Sequence, residues 1–307
     1  MKWEHALEGY WLEKRRNVSP KTVADYEGTF RKFHAFLGND VPFEKISSDH
    51  VRRFLAELTH EGLSQKTVAN AWIALSSLWT WAERELEVPH IIRRRVARPK
   101  YQRPIIEPYS KTDIGAMLNA CAENAEWKSR RGKEVRSQRH SKLRDRAILL
   151  VLVDTGLRAS ELCNLLVKDY ESATGRIQIR HGKGNKSRLV YAGESTRRAI
   201  WRYLTERKES RPNSPIFVTG TGLAIHPGAL RNLVNTCAKR AGVARATVHK
   251  FRHTFAINFL RNGGSVLELQ RILGHEQLST VKIYAFLAES DLQEAQRRAS
   301  PADNWKF

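Results

Sequence analysis

The 307-residue sequence has only three cysteines, Cys121, Cys163 and Cys237, too scattered and odd in number for a disulfide framework or for paired C-x-x-C metal ligands. Its longest apolar run, AILLVLV at 147–153, is about a third of the length that a bilayer-spanning helix needs. The opening MKWEHALEGYW carries charges where a secretory leader needs an apolar stretch. These shortages argue against a secreted disulfide scaffold and a membrane protein, and they lead to the expectation of a soluble protein in a reducing cytoplasm. Acidic side chains are scarce as well: 32 Asp and Glu stand against 53 Lys and Arg, a formal net charge of +21.

A charge of that size repels itself unless a polyanion is the partner, and nucleic acid is the commonest one. The excess is uneven, because residues 1–108 hold 18 basic and 14 acidic side chains whereas the remainder holds 35 and 18. The length suffices for two domains, each with its own core. We expect the second of them to carry most of the field.

The first hundred residues read as helices divided by cap and stop signals. Ser19-Pro20 precedes a run ending at Gly38, Ser47-Ser48-Asp49 precedes one ending near Gly62, and Ser64 precedes QKTVANAWIALSSLWTWAEREL. SPKTVADY and SQKTVANA nearly repeat, and each sets a lysine, Lys21 or Lys66, in a first turn, where a cation and backbone N–H groups can meet a DNA phosphate. Trp72 and Trp79 lie at helical spacing and are expected in the core rather than on a base-stacking surface. RRRVARPKYQRPIIEP at 93–108 is basic, proline-rich and without period, which marks a linker. The expected organisation is an all-α domain over 1–98, a linker over 99–108 and a mainly α domain with a small antiparallel sheet over 109–307.

In the second part RIQIR (176–180) and SRLVYA (187–192) alternate as strands do, and HGKGNK joins them as a hairpin connection. That connection carries Lys183 but lacks the spacing and the GK[ST] order of a P-loop. The stretch 123–142 is densely charged and aperiodic, an expected exposed loop whose Arg130, Arg131 and Lys133 are candidate DNA contacts.

VHKFRHTFAINFL at 248–260 reads as an amphipathic helix with Val248, Phe251, Phe255 and Phe259 in one apolar stripe, Thr247 as its cap and Asn262-Gly263-Gly264 as its stop. His249 and Arg252 share another face, beside a helix N-terminus that itself favours an anion. His249 and His253 also have the spacing of H-E-x-x-H, but Lys250 stands where that motif needs its glutamate, which argues against zinc. Upstream, DTGLRASEL puts Arg158 after a helix broken at Thr155-Gly156, with Ser160 as a possible cap and Glu161 one turn on, able to orient the guanidinium. Downstream, ILGHEQLSTVKIYAF sets His275 after Gly274 and then starts a short helix near Ser279 that carries Tyr284. Two arginines, a lysine, histidines and a tyrosine are the groups that phosphoryl transfer to a phenol needs: cationic forks for the non-bridging oxygens, a proton donor for the leaving alkoxide, and a nucleophile.

TGLRASEL, GKGNKSR, HKFRHTFA, LGH and a tyrosine nine residues beyond the LGH histidine occur in that order, and in this the sequence resembles the tyrosine recombinase family, the phage-type integrases and Xer recombinases. The resemblance spans nearly the whole chain and implies a SAM-like core-binding domain followed by a catalytic domain. It implies that Arg158, Lys183, His249, Arg252 and His275 activate a DNA phosphate, that Tyr284 attacks it to give a 3′-phosphotyrosyl intermediate, that Glu161 is a supporting carboxylate and that His253 is structural. One phosphodiester replaces another, so neither ATP nor a metal is needed. A homotetramer on duplex DNA with specific recombination sites is implied, alone or with a related recombinase or accessory proteins, for integration, excision or resolution in association with the nucleoid. The segment after Tyr284, with Leu287, Leu292 and Ala295 on one thin face, would dock on a neighbouring protomer. Val281 departs from the threonine of many relatives, and the 123–142 stretch is longer than their usual connection. Two other readings share part of the pattern: a type IB topoisomerase-like swivelling enzyme, and a DNA-binding protein without catalysis.

The charge distribution yields the first prediction. Affinity for duplex DNA is expected to fall by about a thousandfold or more between roughly 50 and 200 mM salt, provided that about six or more phosphates are neutralised. Fluorescence anisotropy across a salt series measures the slope; a nearly flat plot of log affinity against log salt contradicts it.

Overall fold

Serine caps start three of the helices in the first part of the chain, whereas the first helix follows Lys2 without a side-chain cap. Helix α1 covers Trp3–Lys14. Helix α2, Pro20–Leu37, follows Ser19, whose Oγ accepts from the Thr22 N–H at 3.1 Å, and proline occupies the first helical position, where no N–H is needed. Helix α4, Gln65–Glu85, begins the same way, with Ser64 Oγ accepting from the Thr67 N–H at 3.2 Å. Between them α3, Ser48–His60, has Ser47 as its cap. Lys21 and Lys66 are exposed in the first turns of α2 and α4.

The computed structural model describes residues 1–38, 41–102, 107–121, 141–180, 187–207, 211–274, 281, 283–284, 296–297 and 299–305, with the backbone alone at 127–128 and 134–135. The chain divides into two compact units, Met1–Pro104 and Ile105–Phe307, so the division falls inside the basic stretch 99–108. Among the described residues no helix is long and apolar enough to cross a membrane.

Among the described residues the elements of the first unit are all helices, and aromatic rings cluster in its core. Trp79 on α4 is fully buried, stacks on Phe43 at 5.2 Å between ring centroids, and meets Trp3 and Phe33. Trp72 is half-buried and donates its indole N–H to the Val96 carbonyl at 3.1 Å, which fixes the chain after α4 against that helix. Both tryptophans therefore serve packing.

The second unit is mainly α. Its helices are α5 (Lys111–Ala120), α6 (Lys142–Thr155), α7 (Ala159–Cys163), α8 (Glu194–Glu206), α9 (Pro227–Arg240), α10 (Val248–Arg261) and α11 (Val266–Leu273), with a last turn at Pro301–Trp305. The core lies around α6, whose Ala147, Ile148, Leu149, Val151 and Leu152 are buried. That burial explains why AILLVLV is apolar throughout: the helix is covered on nearly every side.

Two small ladders accompany the helices. Strand β1 (Trp127–Lys128) pairs antiparallel with β2 (Glu134–Val135), Trp127 opposite Val135. The stretch 123–142, expected as a loop, thus contains a short ladder, and its two large apolar residues are partners in it. The second ladder is a three-stranded antiparallel sheet of β3 (Tyr170–Glu171), β4 (Arg176–Ile179) and β5 (Arg188–Tyr191) in the order β3-β4-β5, with Ile177 opposite Val190. The alternation of RIQIR and SRLVYA locates the central pair. Strand β3 is too short to show a period. The connection 181–186, and Lys183 with it, lies outside the described residues, as do Arg130, Arg131 and Lys133.

Trp79→Ala should destabilise the first unit by about 3–5 kcal/mol, because it leaves a tryptophan-sized cavity among rings that cannot collapse onto it. Urea unfolding followed by far-UV circular dichroism measures this; a loss below about 1 kcal/mol would show that the aromatic cluster does not anchor the unit.

Candidate active site

Arg158, Glu161, Arg188, Arg252, His253 and Tyr284 come together in the second unit from four separate stretches of chain. Helix α6 stops at Gly156, which takes the left-handed conformation at φ 61° and caps the helix by donating to the Leu152 carbonyl at 3.2 Å. A side chain there would collide with Phe255, only 2.5 Å from an added Cβ. The chain turns through buried Leu157 and places Arg158 at the N-cap of α7.

Glu161 is the centre of the charge arrangement, its side chain only 2% exposed. Oε2 accepts the Arg158 backbone N–H at 2.8 Å, and Oε1 accepts from the Arg158 guanidinium at 2.7 Å. The carboxylate, rather than the Ser160 hydroxyl expected from sequence, therefore completes the cap of α7, because Arg158 and not Ser160 is the N-cap residue. Arg188 of β5 grips the same carboxylate as a fork, Nη1 on Oε1 and Nη2 on Oε2, both at 2.8 Å, and its Nε donates to the Ile272 carbonyl at 2.6 Å. Burial opposes ionisation of Glu161, yet the hydrogen bonds from Arg188 and from the Arg158 N–H hold its pKa at about 2. Arg188 was missed as a site residue in the sequence, although it closes the GKGNKSR motif.

Arg252, expected with His249 on a second face of α10, is deeply buried there while His249 is exposed. Arg252 is 2% exposed, among the largest fully buried side chains, and donates to the Gly156 carbonyl at 2.8 Å and the Leu273 carbonyl at 2.7 Å. Both carbonyls lie at helix C-termini, where intrahelical partners run out, so the guanidinium satisfies them and ties α6 and α11 to α10. Burial, with Arg158 beside it, lowers the Arg252 pKa to about 9, still high enough for a charged group at neutral pH.

Helix α10 begins as the sequence suggests, with Thr247 Oγ1 accepting from the Lys250 N–H at 3.1 Å. Its expected single stripe divides between two cores. Val248 and Phe251 join the main core, while Phe255 and Phe259 pack with Ala256, Ile257, Leu269, Leu273, Val281 and Tyr284 in a separate cluster. Val281 is thus a packing residue of the tyrosine's surroundings. His249 is exposed on α10, one turn before His253, with the two rings edge to face at 4.3 Å.

Tyr284 is 4% exposed, and its hydroxyl lies 2.8 Å from His253 Nδ1 in a shared hydrogen bond. Burial raises the phenol pKa, while Arg252 and Arg158 pull it down. His253 is lowered to about 4 by burial and by His249 and Arg252, so its ring is neutral at neutral pH. The sequence reading of His253 as a packing residue misses this hydrogen bond; a histidine with two polar ring nitrogens one turn beyond His249 is the signal that points to it. His275 lies outside the described residues. The chain leading to it is fixed by Arg252 on Leu273 and by Arg188 near Gly274, where an added Cβ would stand 3.1 Å from the arginine side chain.

Among the described residues the charged side chains at this site are three guanidiniums and one carboxylate. The surplus is positive, and it is gathered beside a tyrosine hydroxyl. A phosphodiester is the ligand chemistry that such a surplus suits.

Comparison with known proteins agrees with that chemistry. Residues 120–290 match the family model described as phage integrase family, and residues 7–86 match that of the phage integrase N-terminal SAM-like domain. The tyrosine recombinase XerC of Pelobacter propionicus is 29% identical over 295 residues, covering 94% of this chain and 92% of its own. XerC of Staphylococcus haemolyticus is 29% identical over 297 residues, covering 94% of each. Among solved structures, the fold is similar to that of XerH site-specific recombinase bound to palindromic difH substrate in a post-cleavage complex, with a TM-score of 0.71, 22% identity and coverage of 96% of this chain and 83% of that one. It is also similar to a lambda integrase dimer bound to a COC′ core site, with a TM-score of 0.72, 15% identity and coverage of 91% and 97%. Fold and comparisons together define a tyrosine-type site-specific recombinase. The chain belongs to the phage integrase family.

Glu161→Gln should cost about 3–5 kcal/mol, since it leaves the Arg188 fork buried without its counter-charge. Because the folded pKa of Glu161 is depressed from 4.5 to about 2, the stabilisation it gives is complete above about pH 4.5 and is lost as the pH falls towards 2. Wild type should therefore lose on the order of 3 kcal/mol more than Glu161→Gln across that window, as read from denaturant midpoints at each pH. Equal losses in both proteins would contradict the assignment.

Proposed function

We propose that this chain cleaves and rejoins duplex DNA at specific recombination sites, with Tyr284 as the nucleophile. The observation that carries the reading is the Tyr284 hydroxyl held out of water beside Arg252 and Arg158, in a site where cations outnumber carboxylates among the described residues. Oη attacks the scissile phosphorus and expels the 5′ oxygen, which leaves a 3′-phosphotyrosyl enzyme; a 5′-hydroxyl of the partner strand then reverses the step. Arg158, Arg252 and His275 stabilise the charge on the non-bridging oxygens. Lys183 protonates the leaving 5′ oxygen, and His249 assists in proton transfer.

DNA contact by the first unit falls to Lys21 and Lys66, beside the exposed N-termini of α2 and α4, and by the second unit to Arg130, Arg131 and Lys133. The active assembly is a homotetramer on two sites, acting in the cytoplasm on the nucleoid. A cavity of about 1380 Å³ in the second unit supports this reading, since Ile114, Leu118, Val153, Phe255, Phe259 and Ile272 line part of it and would suit a neighbour's Leu287, Leu292 and Ala295, which lie outside the described residues and which the sequence groups as a thin apolar set.

Covalent capture tests the proposal. Wild type incubated with a randomised duplex pool should yield detergent-resistant adducts enriched in one sequence, and two differently labelled duplexes carrying that sequence should exchange strands. Tyr284→Phe should bind the same duplex and form no adduct. Lys183→Ala should cleave about 10²–10⁴ more slowly, and a bridging 5′ sulfur should restore its rate because a thiolate leaves without a proton. Adduct formation by Tyr284→Phe would overturn the assignment of the nucleophile, and an equal defect of Lys183→Ala on both substrates would overturn that of the acid.

A further inference from the structure

The cleavage chemistry assigns an acid to the leaving oxygen but also requires a group to receive the proton of the tyrosine. We propose that His253 is this group: its Nδ1 accepts the hydrogen of the Tyr284 hydroxyl, aims the oxygen and takes the proton as the oxygen attacks phosphorus. The inference rests on the reading of Tyr284 as nucleophile and adds a catalytic residue to it.

The geometry is specific. Nδ1 and Oη lie 2.8 Å apart, with ring centroids at 5.5 Å and the planes inclined by 50°, so contact is made at the polar edge of the imidazole rather than through its face. The fold fixes both ends. His253 follows Arg252 on α10, whose guanidinium is anchored to Gly156 and Leu273, and Tyr284 packs with Ala256 and Ile257 of the same helix. Tyr284 is 4% exposed, so water has little access to take the proton in place of the ring.

A base must also be neutral before it acts. Among the described residues, the charged or titratable groups facing His253 are His249 and Arg252 from its own helix and Tyr284 from the segment packed on it, and Arg158 acts on Tyr284 in turn. Burial and this cationic company keep the ring unprotonated, and the phosphodiester reverses the bias. An anion bound between Arg158 and Arg252 offsets their charge and makes His253 more basic when the proton must move.

The step balances. The Tyr284 O–H bond breaks and its proton goes to His253 Nδ1; the Oη–P bond forms; the P–O5′ bond breaks; and the 5′ oxygen is protonated by the acid, Lys183 in the reading above. In rejoining, the 5′-hydroxyl gives its proton back to Lys183, the P–O5′ bond forms, the Oη–P bond breaks and His253 returns its proton to Tyr284. No oxidant, metal or nucleotide enters.

The test compares His253→Asn, which presents an amide oxygen near the position of Nδ1 but cannot take a proton, with His253→Leu, which can do neither. Single-turnover cleavage is followed on the duplex captured by wild type, so failure of wild type to form an adduct indicts Tyr284 and leaves the His253 comparison a separate result. Both variants should retain DNA affinity and cleave about 10²–10⁴ more slowly. A bridging 5′ sulfur should not rescue them, because the lost group serves the nucleophile and not the leaving oxygen. The ratio of wild-type to variant rate should shrink about tenfold per pH unit between roughly pH 7 and 9, where hydroxide replaces the missing base while the other groups titrate alike in both proteins. If His253→Leu is too unstable to measure, His253→Asn carries the comparison. A wild-type rate in His253→Asn would reduce the residue to an orienting hydrogen bond, a ratio independent of pH would show a packing role, and faster cleavage in either variant would show a restraint on the tyrosine. Each of these results would overturn the proposal.

Discussion

The site depends on one buried carboxylate. Glu161 receives the Arg158 N–H, the Arg158 guanidinium and both arms of Arg188, and without it two arginines in a space with little water would repel each other. This single group joins the N-terminus of α7 to β5, and Arg188 Nε extends the connection to the end of α11. Arg252 makes a parallel connection from α10 to the C-terminal carbonyls at Gly156 and Leu273. Four stretches of chain far apart in sequence are thereby held at one place by charged groups whose hydrogen bonds end on carbonyl and carboxylate oxygens.

The two kinds of arginine divide the labour. Arg188 is matched by Glu161 as a bidentate pair and serves to hold the backbone in place. Arg252 and Arg158 leave the site positively charged, and their field falls on Tyr284, opposing the rise in phenol pKa that burial causes. Burial first, with His249 and Arg252 beside the ring, keeps His253 neutral. A surplus of buried positive charge is offset by a phosphate, and the offset grows in the step in which charge develops on the non-bridging oxygens.

Much of the fold was legible because its signals are local. Ser19-Pro20, Ser64, Thr247 and Gly156 act within a turn of where they stand, and alternation in RIQIR and SRLVYA reports one sheet face. Tyr284, Arg158, Arg252 and Glu161 were legible as members of ordered motifs. The burial of Arg252 was not, because its partners, Gly156 and Leu273, are carbonyls of other elements and any residue supplies a carbonyl. Arg188 was hidden for the same reason: a strand-end arginine reads as solvated until Glu161 and Ile272 stand opposite it. The division of the α10 stripe between two cores escaped because periodicity shows which residues are buried and not what covers them. His253 looked like packing because its hydrogen-bond partner lies 31 residues further along the chain.

The central claim is that the tyrosine meeting His253 beside Arg252 is the one that becomes linked to DNA. Trapping wild type on its captured duplex, digesting the DNA and the protein, and sequencing the modified peptide by mass spectrometry tests this most directly. The account predicts a 3′-phosphonucleotide on Tyr284, within the tryptic peptide that runs from Ile283 to Arg297. A nucleotide on Tyr109, Tyr191 or any residue other than Tyr284 would contradict it.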